Sequence, residues 1–440
     1  MSTSPETLPV AERVAGDTLL ELRDVTVHYQ LRTSALARLI GGAGATVKAV
    51  DGVSLTLRRG EVLGLVGESG SGKTTLGRAL LGLVRPTSGT ILYAGQDIGR
   101  LPERRMRRLR RRLQMVFQDP HAALNPSMDL QTAIGHPLRI QKLVRNRAEE
   151  RARVVEALER VGLTPPEQFL TKLPSELSGG QKQRAVIARA IICGPELLVA
   201  DEPISMLDMS VRARILELML ELKRDLDLTY VYITHDLATA KFFCDRVAIM
   251  YLGRVVEIGP TEQIFSDPKH PYTQALLAAV PDPDPERQVP RDLPRGEIPD
   301  AAAPPHGCSF HPRCPRAFAP CGWEARDLRA MFERRWVRLG EEAYAEEAPL
   351  VSALDDVEPG QEEARLPVPS DRDPAELVRL FEEARKEAPD DPLWRGVKQV
   401  AAEGRTVVVR FHTGVDPALT PLDEVEVACH LYDPRFAAAT

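Results

Sequence analysis

The chain predicts an α/β fold with a mostly parallel sheet, and three observations carry that reading. Strand-like and helix-like segments alternate from Leu19 to about Gly259, the order in which crossover helices join parallel strands. A glycine-rich loop, Gly67-Glu68-Ser69-Gly70-Ser71-Gly72-Lys73-Thr74, separates an apolar strand pattern from a helical one. A second apolar run, 197–200, ends in the acidic pair Asp201-Glu202.

Taken in order, residues 1–18 form an N-terminal tail, and strands are expected at 19–29, 47–57, 62–66, 113–117, 197–201, 229–234 and 246–251. Helical periodicity covers 74–83, 147–161, 181–192 and 210–226. Residues 119–177 lack strand signals, so a helical subdomain is expected at about 119–190. After the main domain, 19–281, the proline-rich stretch 282–306 reads as an extended linker. Residues 307–440 then form an α+β extension with an acidic insertion at about 322–428. Within it, Asp373-Pro374-Ala375-Glu376 is a helix-start signature and 406–411 reads as a strand. Trp323, Trp336 and Trp394 imply some buried surface there.

At 440 residues the chain accommodates two or three domains. A formal net charge of −6 predicts no general affinity for nucleic acid. The run Arg104-Arg105-Met106-Arg107-Arg108-Leu109-Arg110-Arg111-Arg112 places Met106, Leu109 and Leu113 at helical spacing, so it reads as an amphipathic helix with a solvated basic face. No segment approaches the roughly 18 consecutive apolar residues of a membrane span, and the N-terminus lacks the basic start and apolar core of a signal peptide. Six cysteines in a chain of this size suggest no disulfide scaffold.

The glycine-rich loop carries phosphate chemistry. Its glycines let backbone approach an anion closely, and its N–H groups with the following helix start present positive dipole ends. Lys73 supplies a point charge for β/γ-phosphates, and the Thr74 hydroxyl suits Mg²⁺. Asp201 ends an apolar strand, where a carboxylate is costly unless it serves an ion; Mg²⁺ is its natural partner. Glu202 is then the candidate general base. Ser178-Gly179-Gly180 repeats the anion-binding logic at another helix start.

With Leu177-Ser178-Gly179-Gly180-Gln181 between the phosphate loop and Asp201-Glu202, residues 19–281 resemble the ABC ATPases. The resemblance implies an ATP- and Mg²⁺-dependent ATPase on the P-loop NTPase fold, paired head-to-tail so that Ser178, Gly179, Gly180 and Gln181 cap the partner's ATP. It implies ATP contacts at Tyr29, Gly67, Ser69, Gly70, Gly72, Lys73, Thr74 and Thr75, with Tyr29 stacked on adenine. It also implies Mg²⁺ sensing by Gln118, a dimer-interface loop ending at Asp208, and a switch histidine at His235.

Three further segments resemble the oligopeptide/dipeptide importer ATPases: Gln118-Asp119-Pro120-His121-Ala122-Ala123-Leu124-Asn125-Pro126, His270-Pro271-Tyr272-Thr273-Gln274-Ala275-Leu276-Leu277, and Gly307-Cys308-Ser309-Phe310-His311-Pro312-Arg313-Cys314-Pro315. The insertion 31–46 resembles the second of the two ATPases in such systems. The resemblance implies a peripheral subunit on the cytoplasmic face of the membrane, with a second ATPase chain, two permease chains and an extracytoplasmic solute-binding protein. Relatives of the group also carry nickel or oligosaccharides. A soluble ABC ATPase of translation or DNA repair is the competing class, but neither a fused second cassette nor a coiled-coil interruption is present.

Cys193 and Cys244 read as small buried fillers. Cys308, Cys314, Cys321 and the distant Cys429 form a set whose four thiolates suit an iron–sulfur cluster or tetrahedral zinc, the latter with His311 or His430; idle thiols are the alternative. In some members of the importer family the comparable set resembles a [4Fe–4S] site, with the fourth cysteine soon after the third; here more than a hundred residues intervene. Its distance along the chain from the nucleotide motifs predicts a structural clasp.

Overall fold

The computed structural model describes residues 18–30, 46–279, 296–356 and 360–436. Residues 1–17 of the expected N-terminal tail, the insertion 31–46 up to residue 45, and residues 282–295 of the expected linker lie outside them. The chain divides into two compact units, one holding Gly52–Leu63 and Gly77–Ile233 with described residues up to Val25, the other holding Thr26–Asp51, Gly64–Leu76 and the chain from Thr234 onward.

In the first unit, strands Leu113–Val116, Leu197–Asp201 and Thr229–Thr234 pair in parallel, with Leu113 opposite Leu197 and Leu197 opposite Thr229. The latter two strands are buried at every position, which is why they read as continuous apolar runs rather than alternating ones. Leu113 therefore opens a strand, and the basic helix stops earlier, at Glu103–Leu109; of its expected apolar face Met106 is buried.

Helices Pro120–Ala123, Leu130–Ile140, Arg147–Arg160 and Glu167–Leu170 occupy the segment without strand signals, and Gly179–Ile191 follows it. Each longer helix begins at a side-chain cap. Asp129 accepts from the Thr132 N–H and Asn146 from the Glu149 N–H, each satisfying a donor the helix itself leaves open. Leu130, Ile134, Leu138, Val154, Leu158 and Ile187 are buried along them.

In the second unit, strands Arg246–Tyr251 and Arg254–Pro260 form an antiparallel hairpin. The late strand Val425–Val427 adds to it, with Glu257 opposite Val427, and Thr420–Leu422 follows. The acidic insertion folds around its own core. Strands Glu363–Pro367, Thr406–Phe411 and Val397–Glu403 make a sheet with the middle strand in the centre. The helix Pro374–Glu387 starts at Asp373, whose carboxylate accepts from the Ala375 N–H. Phe381 of that helix meets Phe332 of Ala325–Leu339 edge-on at 5.4 Å. Arg335 donates to both Glu347 oxygens, at 3.1 and 3.0 Å, and so keeps a buried charge paired. The described part of the expected linker is not wholly extended: a turn at 301–303 accepts a hydrogen bond from the Lys48 N–H at Ala301.

Candidate functional site

The phosphate loop is built tightly. A Cβ at Gly67 would lie 2.2 Å from the Met250 carbonyl oxygen, and one at Gly72 2.1 Å from that of Ala49. Only glycine fits at either position. The Lys73 ammonium is buried and donates to the Gly67 and Glu68 carbonyls, both at 2.8 Å, and to Ser71 Oγ at 3.2 Å. Helix Lys73–Leu80 starts directly at this lysine, with Thr74 and Thr75 in its first turn. These contacts hold the ammonium within the loop's curve.

Sequence reasoning left out Glu68, which anchors the loop on both sides. Its N–H donates to Tyr272 Oη at 3.0 Å, and its carboxylate receives both terminal nitrogens of Arg313 at 2.9 and 3.2 Å. Tyr272 and Arg313 belong to segments noted for their family resemblance and, around Arg313, for their cysteines. The signal available was the glutamate itself, a charge inside a loop built for anions.

In the first unit, Asp201 is the buried last residue of its strand. Glu202 then leaves the strand direction with φ of 45°, a left-handed conformation that costs a non-glycine residue roughly 1–3 kcal/mol and clusters at functional sites. The Glu202 N–H donates to the Ile233 carbonyl at 2.9 Å, which fixes the turn. Gln118 Nε2 donates to Glu202 Oε2 at 2.9 Å, so two residues 84 apart in sequence meet.

Ser178 caps helix Gly179–Ile191 in a reciprocal box. Its hydroxyl accepts from the Gln181 N–H at 3.3 Å, while Gln181 Oε1 accepts from the Ser178 N–H at 3.0 Å. Ser178 and Gly179 are exposed, and Gly180 is partly so. Asp208 caps helix Met209–Leu226 through Val211, and the Ser210 hydroxyl and that N–H hold its carboxyl below the ordinary range. His235 follows its strand on the surface of the second unit, and Tyr29 is 43% exposed, so it is no core residue.

The second unit also gathers Cys308, Cys314, Cys321 and Cys429 around one small cavity, with His270 and His430 beside them. Pairing of Val425–Val427 with the hairpin strand is what returns Cys429 to the others, and the Ala428 N–H seals it on the Val256 carbonyl at 2.8 Å. Burial pushes the Cys308 thiol up to about 11 and Cys429 up to about 12. Burial, then the neighbouring cysteines, raises Cys314 and Cys321 as well. Bare thiols here stay protonated near neutrality; a cationic group in the cavity would favour thiolates.

Both ring nitrogens of His430 and Nε2 of His270 are buried without a hydrogen-bond partner. His311 is otherwise engaged, at 2.9 Å from the Cys308 carbonyl and 3.1 Å from Asp327 Oδ2, so it is no zinc ligand. Among the described residues no three His, Cys, Asp or Glu side chains are grouped as one metal ion requires. Cys193 and Cys244 are buried, as expected of fillers.

A lysine-filled phosphate loop at a helix start and an acid-ended parallel strand define a nucleotide-hydrolysing protein of the P-loop class. Residues 50–205 match the ABC transporter family, and residues 256–321 match the oligopeptide/dipeptide transporter C-terminal region. Oligopeptide transport ATP-binding protein AppF of Bacillus subtilis (strain 168) is 46% identical over 308 residues, which span 69% of this chain and 92% of that protein. A Brucella ovis protein whose name refers to peptide import is 46% identical over 311 residues, 71% of this chain and 94% of that one. A solved dimeric structure of a bacterial ABC transporter cassette is similar at 28% identity and a TM-score of 0.48, over 55% of this chain and 98% of that one.

The chain belongs to the ABC transporter family as an ATP-binding subunit of the oligopeptide/dipeptide importer group, and it is an ATPase. No helix among its described residues is long and apolar enough to cross a membrane.

Proposed function

We propose that the chain hydrolyses ATP to energise peptide import, working on the cytoplasmic face of the membrane with a second ATPase chain, two permease chains and an extracytoplasmic solute-binding protein. The observation that carries this reading is the match of 256–321 to the oligopeptide/dipeptide transporter region beside a complete set of ATPase motifs. In the cycle, Gly67, Ser69, Gly70, Gly72, Lys73, Thr74 and Thr75 hold the triphosphate, and Tyr29 offers its exposed ring to adenine. Thr74, Asp201 and Gln118 are the residues that would hold Mg²⁺, which would offset the charge of the β- and γ-phosphates.

Glu202 takes a proton from water as the water oxygen attacks the γ-phosphorus and the β–γ bridge breaks, releasing ADP. The 2.9 Å bond from Gln118 orients that carboxylate, and His235 contacts the γ-phosphate. Ser178, Gly179, Gly180 and Gln181 complete the partner's site, and Asp208 ends the loop that crosses to it.

For the cysteine cavity we favour a [4Fe–4S] cluster held by Cys308, Cys314, Cys321 and Cys429. What supports this reading is that all four cysteines line one small cavity, four thiolates being the set that holds such a cluster. Among the described residues no group of three His, Cys, Asp or Glu is placed to hold a single metal ion. When bound, the cluster would supply the positive charge that keeps these buried thiols deprotonated.

Extraction of the native complex in mild detergent tests the transport reading. Permease chains are expected to co-purify, and recovery with ribosomes or DNA alone would overturn it. Anaerobic reconstitution followed by iron and sulfide analysis tests the cluster; a protein free of both refutes it.

A further inference from the structure

We infer that Arg313 is a positioning residue for the phosphate loop, and that through it the cysteine-lined turn 308–314 and the nucleotide influence each other. The inference rests on the reading of Gly67–Thr74 as the nucleotide loop. Arg313 stands immediately before Cys314 on a short helical turn, His311–Arg313. That turn is closed by the His311 N–H on the Cys308 carbonyl at 2.9 Å and by the Cys314 N–H on the His311 carbonyl at 3.2 Å. Two of the cavity's four cysteines thus bound the turn that carries the arginine.

The guanidinium is buried and packs 5.9 Å from the Tyr251 ring and 5.8 Å from Phe310. It reaches Glu68 with both terminal nitrogens, at 2.9 and 3.2 Å. A forked contact of this kind fixes direction as well as distance. Glu68 in turn offers its carbonyl to Lys73 Nζ at 2.8 Å and to the Ser71 N–H at 3.2 Å. A continuous chain of contacts therefore runs from Cys314 through Arg313 and Glu68 to the lysine that meets phosphate. A group in the cysteine cavity that fixes the turn also fixes Glu68. By linkage, nucleotide bound at the loop must steady the turn by the same free energy.

Two measurements on the full chain test this. Equilibrium titration with fluorescent ADP and Mg²⁺ is expected to show that Arg313→Ala weakens affinity on the order of tenfold, within the usual range for coupled sites. Arg313→Lys, which keeps the charge and loses the fork, should recover part of it. Lys73→Ala is the control, and normal binding by that variant would refute the nucleotide assignment rather than this inference.

Amide exchange is read first in the unsubstituted chain, where the outcome does not depend on any variant folding. Saturating Mg-ADP is expected to slow exchange across 308–314 by about fivefold, the lower end of typical coupling, and Arg313→Ala should abolish that protection. Exchange in 308–314 that ignores nucleotide, or Arg313→Ala binding as tightly as the unsubstituted chain, overturns the inference.

Discussion

Glu202 combines a left-handed backbone with a carboxylate that accepts from Gln118 Nε2, and these two observations support its proposed role as the base. Glu202→Gln should keep ATP affinity and slow phosphate release by about a hundredfold or more, the usual scale for losing a catalytic base. Phosphate release near the normal rate would remove Glu202 from that role. His270 provides a separate check. It is buried, and burial lowers its pKa to about 3, while its Nδ1 accepts from the Tyr272 N–H at 3.0 Å. Because the folded pKa lies below the unfolded value of about 6.5, the unfolded chain binds the extra proton first. Stability should therefore fall as pH drops from about 6.5 toward 3, by up to about 1.4 kcal/mol per pH unit from this group. His270→Asn, which keeps a helix-capping acceptor, should flatten that slope in denaturant titrations; an unchanged slope assigns the effect elsewhere.

Helix Gly179–Ile191 raises a question that belongs to the element. Its reciprocal cap satisfies the first-turn donors with the same Ser178 and Gln181 assigned to the partner's nucleotide. Capping and anion binding make different demands, and substitution separates them. Ser178→Asp preserves an N-cap acceptor and adds a negative charge where phosphate would approach. The variant should melt within a degree or two of the unsubstituted chain, a shift worth well under about 1 kcal/mol. Its ATPase rate with the partner chain should fall at least about tenfold, the effect of about 1.4 kcal/mol of repulsion. Retained activity would leave Ser178 as a cap alone. Burial explains the strand patterns in the same way. Residues Leu197–Asp201 are closed to solvent throughout, so no polar alternation is left for a reader of the sequence to find.

For the whole molecule, the decisive property is association. Two helix starts suited to phosphate, at Lys73 and at Gly179, occur in one chain, and the proposed head-to-tail pairing would give each a nucleotide. Sedimentation of the Glu202→Gln chain with its partner ATPase and saturating Mg-ATP should show a stable pair that dissociates when nucleotide is removed. Components that remain monomeric under those conditions contradict the pairing. The second unit adds an organisation that distance along the chain concealed. The cysteine segment is distant from the phosphate loop in sequence, yet its Arg313 bonds to Glu68 across 245 positions. Sequence separation says nothing about spatial separation once a strand or turn brings the chain back.

The sequence alone determined the nucleotide chemistry, because phosphate binding depends on contiguous backbone. Glycines, a lysine and a helix start must follow one another, as they do from Gly67 to Thr74, and Ser178 to Gln181 place glycines at a second helix start. The α/β class was equally legible, since buried parallel strands must be apolar throughout. Tertiary structure alone decided which distant groups meet. Cys429 reaches the other cysteines because Val425–Val427 pairs with Arg254–Pro260, and His311 is excluded as a ligand because Asp327 and the Cys308 carbonyl occupy its nitrogens. Arg313 meets Glu68 for the same kind of reason. Such contacts arise from long-range packing, which no local pattern of residue types encodes.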